Sequence, residues 1–190
     1  MTFGCDDLEH LASFVAAAWR RGADRDWSAR AGRLEWSCTR TADHAVDTVL
    51  APAFFLPSRR RDDYPTFVPT SLGPDPRPED LADAVETAAR ILVAVVRTTA
   101  PDVRAVIWRR PRVEARPPQD FVPRGALELI LHGHDVAAGL GVPFAPPVPL
   151  CERLRRHTSE WPHWRSPGWS PLTLAGDPWT DLLRAAGRTG

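Results

Sequence analysis

The chain contains no lysine. All 24 of its basic residues are arginine, and 24 Asp and Glu residues balance them to a formal net charge of zero. A neutral chain without a basic stripe argues against nucleic acid as a partner. Cysteine is scarce as well. Cys5, Cys38 and Cys151 are odd in number, far apart and without a C-x-x-C pair, which excludes a disulfide framework and reads as reduced thiols. The N-terminus is acidic and has no signal-peptide core. No apolar run approaches the ~18–20 residues of a membrane span, and Ile91–Val96 is among the longest. Repeats and low-complexity tracts are also missing. A cytoplasmic, soluble protein with no membrane or nucleic-acid partner is the expectation.

What is present is helical periodicity. The 190 residues, 43% of them hydrophobic, suit one compact domain with a core of its own. Leu8, Leu11, Ala12, Val15 and Trp19 form one apolar stripe over residues 6–21, and Gly22 is a stop. A connection over 25–40 leads into a helix over 39–55, with Thr39 or Thr41 as N-cap. There Val46, Val49, Leu50 and Ala53 share a face, while His44 groups with Thr48, Ala51 and Phe55 on a second side, read as buried too. Leu81, Val85, Ala88, Leu92 and Val95–Val96 repeat over 79–99, with Asp80 near the helix start. Residues 102–113 read as a strand or an extended crossover. The segment 57–78 is Pro-rich, charged and aperiodic, the kind of long loop that serves as a lid or binding loop or stays disordered. Past the Gly139 stop, a Pro- and Trp-rich extension over 141–190 carries a shorter helix at 150–161. It also holds Trp161, Trp164, Trp169 and Trp179, half of the chain's eight tryptophans. Aromatics so spaced pack a tail onto a body. His157 and His163, in the same extension, read as surface residues. The whole gives an all-α fold of four principal helices with a long crossover.

The most informative stretch is 122–140. At about 100° per residue, Glu128, His132 and Asp135 fall on one face, which Gly125 and Gly139 extend, so that it carries no apolar side chain. Apolar residues crowd its flanks. Buried carboxylates and imidazoles need partners, because leaving them unpaired costs several kcal/mol or changes their protonation. Glu-x-x-x-His is an ordinary helix-surface pair, and it is also the spacing with which one helix offers two ligands to a metal ion. His44 is the candidate third ligand from the second helix. His134 falls on another side of the helix and stays outside the site.

Three patches carry a family resemblance. Trp36-Ser-Cys-Thr-Arg-Thr-Ala-Asp-His44, then Glu128-x-x-x-His132-x-x-Asp135 followed by Gly139-Leu-Gly-Val-Pro, and the closing Asp177-Pro-Trp-Thr-Asp-Leu-Leu-Arg-Ala-Ala-Gly-Arg188 occur in order. Together they resemble the DinB-like bundles, in particular the metal-binding N-terminal domain of mycothiol-dependent maleylpyruvate isomerases and its short actinobacterial members. The resemblance implies a DinB-like four-helix bundle and a divalent ion, usually zinc, held by His44, Glu128 and His132. Asp135 would orient a ligand from behind. It implies a thiol S-transferase or isomerase, in which a metal-bound thiolate of mycothiol or a related small thiol attacks a small electrophile. Trp36 and the 57–78 loop are candidate pocket walls, and Arg124 a candidate contact for an acidic group of the thiol. Dimerisation is common in such bundles. The 190 residues are short beside full-length isomerases, whose separate C-terminal domain is expected to be missing, so the fold and metal site are expected to carry over and maleylpyruvate as substrate is not. The same ligand set also serves a metal-dependent hydrolase, with water in place of the thiol. A third alternative is a small-molecule-binding or resistance protein without turnover.

Overall fold

The computed structural model describes residues 2–66, 72–73 and 75–188. Helix α1 spans Cys5–Arg21, α2 Cys38–Ser58, α3 Pro78–Thr98 and α4 Phe121–Leu140. Each forms for the reason its periodicity gives. The α1 stripe of Leu8, Leu11, Ala12, Val15 and Trp19 is buried throughout, and the Gly4 N–H donates to Asp7 Oδ2 (3.0 Å) at its start. Pro78 opens α3 at the position where a missing N–H costs nothing. The α2 N-cap is Ser37, whose Oγ accepts from the Arg40 N–H (3.2 Å), not Thr39 or Thr41. Helix α2 also runs on past Phe55, through Pro52, to Ser58. Gly139 does not end α4; Gly141, at φ 65°, takes the left-handed C-terminal position.

Among these four, α1 and α2 occupy opposite corners, each flanked by α3 and α4. Their buried apolar residues join those of the extension in one cluster running from Phe3 to Ala186. None of the described helices is long and apolar enough to cross a membrane.

The chain is mostly helical, but it is not purely so. Strand β1, Ala105–Trp108, pairs antiparallel with β2, Glu114–Arg116, between α3 and α4. This hairpin lies against α2, and the Val106 N–H donates to Arg60 O (2.8 Å). The extension folds back as α5, Val148–Thr158, and α6, Pro178–Ala185. Three ion pairs and a hydrogen bond fasten it: Arg153–Asp7 to α1, Arg188–Asp135 to α4, Arg155–Asp181 between α5 and α6, and His157 bonded to Asp120, the residue just ahead of α4. Of its four tryptophans, Trp161 and Trp164 are buried and Trp169 and Trp179 pack partly buried against the core, as the aromatic spacing suggests. His163 is buried too, which contradicts its reading as a surface residue: it is 4% exposed, among four tryptophan rings. His157 is half-buried and bonded to Asp120.

Candidate functional site

Glycine brings α4 against α2. A Cβ on Gly139 would lie 2.3 Å from Arg30 O and 2.6 Å from Cys38 Sγ, and one on Gly125 would lie 3.0 Å from Leu92 Cδ2 and 3.6 Å from Val49 Cα. The polar stripe of α4 therefore faces α2, with a glycine contact near each end and Glu128, His132 and Asp135 between them. The two helices run antiparallel: Cys38 lies beside Gly139, His44 beside His132 and Val49 beside Gly125. The His44 and His132 rings meet edge to face, centroids 5.1 Å apart. Trp36, just ahead of α2, meets His44 in the same way at 5.1 Å, and Arg40 covers Trp36 at 4.3 Å.

Along α4 the stripe is a chain of charges. Arg124 Nη1 donates to Glu128 Oε1 (2.6 Å), and Glu128 Oε2 lies 3.6 Å from His132 Nε2. His132 Nδ1 lies 3.3 Å from Asp135 Oδ2, but without hydrogen-bond alignment. Asp135 is in turn clamped by Arg188, through Nε (2.9 Å) and Nη2 (2.7 Å). Burial by itself pushes the Glu128 carboxyl up, but the charge of Arg124 and the His132 contact outweigh it and hold the group ionised. Burial pushes His132 down, and its two carboxylate neighbours more than reverse that, so its pKa is raised. His44 is lowered, first by burial and then by the His132 charge.

Three clefts surround this group. One, of about 210 Å³, is lined by His44, Thr48, Ala51 and Phe55 with Tyr64 and Arg124. The second side of α2 is thus a cleft wall, not the buried face its sequence suggests. A second cleft, of about 320 Å³, lies between Trp36, His44 and His132. Trp36 thus lines a cleft. A third, of about 490 Å³, opens beside Glu128 and Arg124 under the hairpin. The described part of the 57–78 loop supplies Tyr64, which stacks on Phe55 at 4.3 Å and donates to Ile107 O (3.1 Å). Residues 67–71 and 74 lie outside the described residues.

In kind, the donors suit a divalent ion: two imidazoles and a carboxylate from facing helices. The His132 Nδ1, buried without a hydrogen-bond partner, is also where an orienting carboxylate stands behind a ligand. As placed, though, no group of three or more His, Cys, Asp or Glu side chains among the described residues could hold a metal ion. Glu128 is instead turned to Arg124, so an ion here competes with a guanidinium for that carboxylate.

Arg188, Tyr64 and Trp108, over which Arg124 lies at 4.1 Å, belong to the site's surroundings without having been singled out by spacing. Arg188 had a signal as the last residue of the closing patch, and Tyr64 only as part of the 57–78 loop. His134 packs on Phe144 and Trp179, away from the cluster. No family model, curated protein or solved structure matches the chain.

Proposed function

We propose that the four-helix packing is a DinB-like bundle whose His44, Glu128 and His132 take up a divalent ion, in the first place zinc. On this reading the protein is a thiol S-transferase or isomerase acting on a small electrophile, with mycothiol or a similar small thiol as co-substrate. One observation carries it: His44 of α2 meets the Glu128/His132 pair of α4 where three clefts converge. A bound divalent ion supplies a Lewis acid that brings a thiol of pKa about 8.5 to its thiolate at neutral pH.

The chain's own residues do the rest. Asp135, fixed by Arg188, sets the orientation of the His132 ring. Trp36 limits water around His44. Arg124 pairs with Glu128, and would be free to meet an acidic group of the thiol if Glu128 turned to the ion. The thiol comes from outside. Cys38 is buried with its Sγ donating to Val136 O, Cys151 is buried on α5, and Cys5 lies at the start of α1 near Arg97.

A second reading, a small-molecule-binding protein without turnover, is favoured by the charge chain itself. Arg124 pairs with Glu128 and Arg188 with Asp135, and His132 lies between the two carboxylates. Elemental analysis after zinc or nickel reconstitution separates the two. The metal-dependent reading expects about one equivalent in the wild type, lost in both Glu128→Ala and His132→Ala. No retained metal in the wild type selects the binding protein.

A further inference from the structure

The cleft under the hairpin has a chemistry that the His44 side lacks. Arg109, Arg110 and Arg124 all line it, with Trp108, His163, Ser166, Pro167 and Trp169. Two of the arginines are engaged: Arg109 pairs with Asp63 (2.7 Å) and covers Tyr64, and Arg124 pairs with Glu128. Arg110 is exposed and makes no ion pair or hydrogen bond to a described residue. Three guanidinium groups therefore face two carboxylates, and one positive charge is left over at the rim. The floor is unusual as well. His163 lies flat on Trp108, rings 4.6 Å apart and 8° from parallel, 4% exposed and with neither ring nitrogen bonded; Ser166 Oγ is also buried and unpaired. Buried polar groups of this kind are rarely left without a partner in a finished structure. Burial keeps the His163 ring neutral, pushed down to about 3, so it offers one donor and one acceptor and adds no charge.

We propose that this cleft is a ligand site for a small organic carboxylate carrying an apolar, ring-sized body. The carboxylate would neutralise the excess charge at Arg110, with its body against Trp169 and Pro167. A monoanion balances the cleft, whereas a phosphate dianion overshoots it beside Glu128. The volume of about 490 Å³ lies in the range of small-molecule sites. The proposal stands on this cleft alone and does not require the metal reading.

The test is a titration of the full chain with 1-naphthoate, followed by calorimetry and by tryptophan fluorescence, with the neutral 1-naphthamide as control. Saturable naphthoate binding is expected, with 1-naphthamide about tenfold weaker or worse and Arg110→Ala about tenfold weaker for naphthoate. Arg110 is an exposed loop residue, so its removal leaves the fold intact, and His44→Ala should bind naphthoate like the wild type. Equal binding of acid and amide, equal binding by Arg110→Ala, or no saturable binding would overturn the assignment. So would loss in His44→Ala, which would move the ligand to the other cleft, or displacement by inorganic phosphate at comparable concentration.

Discussion

At the scale of single residues, the thiol chemistry proposed here is defined partly by what the cysteines cannot do. Burial raises the Cys38 thiol to about 11 and the Cys151 thiol to about 12, and it raises Cys5 as well. At pH 8 only about a thousandth of Cys38 is thiolate. Ellman's reagent should therefore leave Cys38 and Cys151 untouched in the native protein and reach all three cysteines on unfolding. Rapid native labelling of Cys38 or Cys151 would revive an internal nucleophile. How readily each site residue is read from sequence follows from the range of its contacts. Glu128, His132 and Asp135 share a helix face, so spacing alone groups them. The link of Arg188 to Asp135 crosses 53 positions and leaves no local pattern. The burial of His163 is equally illegible, because its neighbours Trp108 and Trp169 come from different segments.

At the scale of elements, the site depends on how near α4 comes to the segment leading into α2. Gly139 and Gly141 make opposite demands. At Gly139 a Cβ meets the carbonyl of Arg30, a backbone obstacle with nowhere to go, whereas at Gly141 space is open and only the positive φ resists. Gly139→Ala should cost about 2–3 kcal/mol in chemical denaturation, and Gly141→Ala about 1 kcal/mol. Equal costs would mean that the close approach of α4 is not needed. The helices themselves are legible because each buries one stripe: α1 buries every residue of its stripe, and α3 buries Leu81, Val85, Ala88 and Leu92, with Val93 buried where Val95 and Val96 are only half-buried. The second side of α2 is not, since His44, Thr48, Ala51 and Phe55 look alike whether they face core or cleft. The hairpin is legible in part: residues 102–113 read as a strand or an extended crossover and hold β1, but its pairing with β2 is not. Ala105–Trp108 is buried at every position, without the alternation that marks a strand, and its partner Glu114–Arg116 is charged.

At the scale of the whole molecule, the extension is a fourth wall and not a tail. Its charged links reach α1 and α4, and its inner joint is the buried pair Arg155–Asp181, at 6% and 1% exposure. Asp181 also accepts from the Gly176 N–H (3.1 Å) and from Thr173. Burial alone pushes the Asp181 carboxyl up, but the Gly176 N–H and Arg155 outweigh it, so its folded pKa is lowered. A lowered carboxylate pKa contributes stability that is present above its unfolded value, about 3.9, and is lost as pH falls through the folded value. Asp181→Asn should thus destabilise the protein by about 3 kcal/mol at pH 7, and the gap to wild type should close in acid below the ordinary Asp range. A gap that persists unchanged there would show that charge is not what holds the joint.

The central claim, that His44, Glu128 and His132 take up an ion open to a thiol, is tested most directly by cobalt(II) titration with and without a small thiol. The account predicts saturation near one equivalent, with absorption of a low-coordinate cobalt site, and a new sulfur-to-cobalt band when the thiol is added. His44→Ala, Glu128→Ala and His132→Ala should abolish both signals. Failure of the wild type to bind cobalt stoichiometrically would contradict the account, as would cobalt binding that survives the loss of all three side chains.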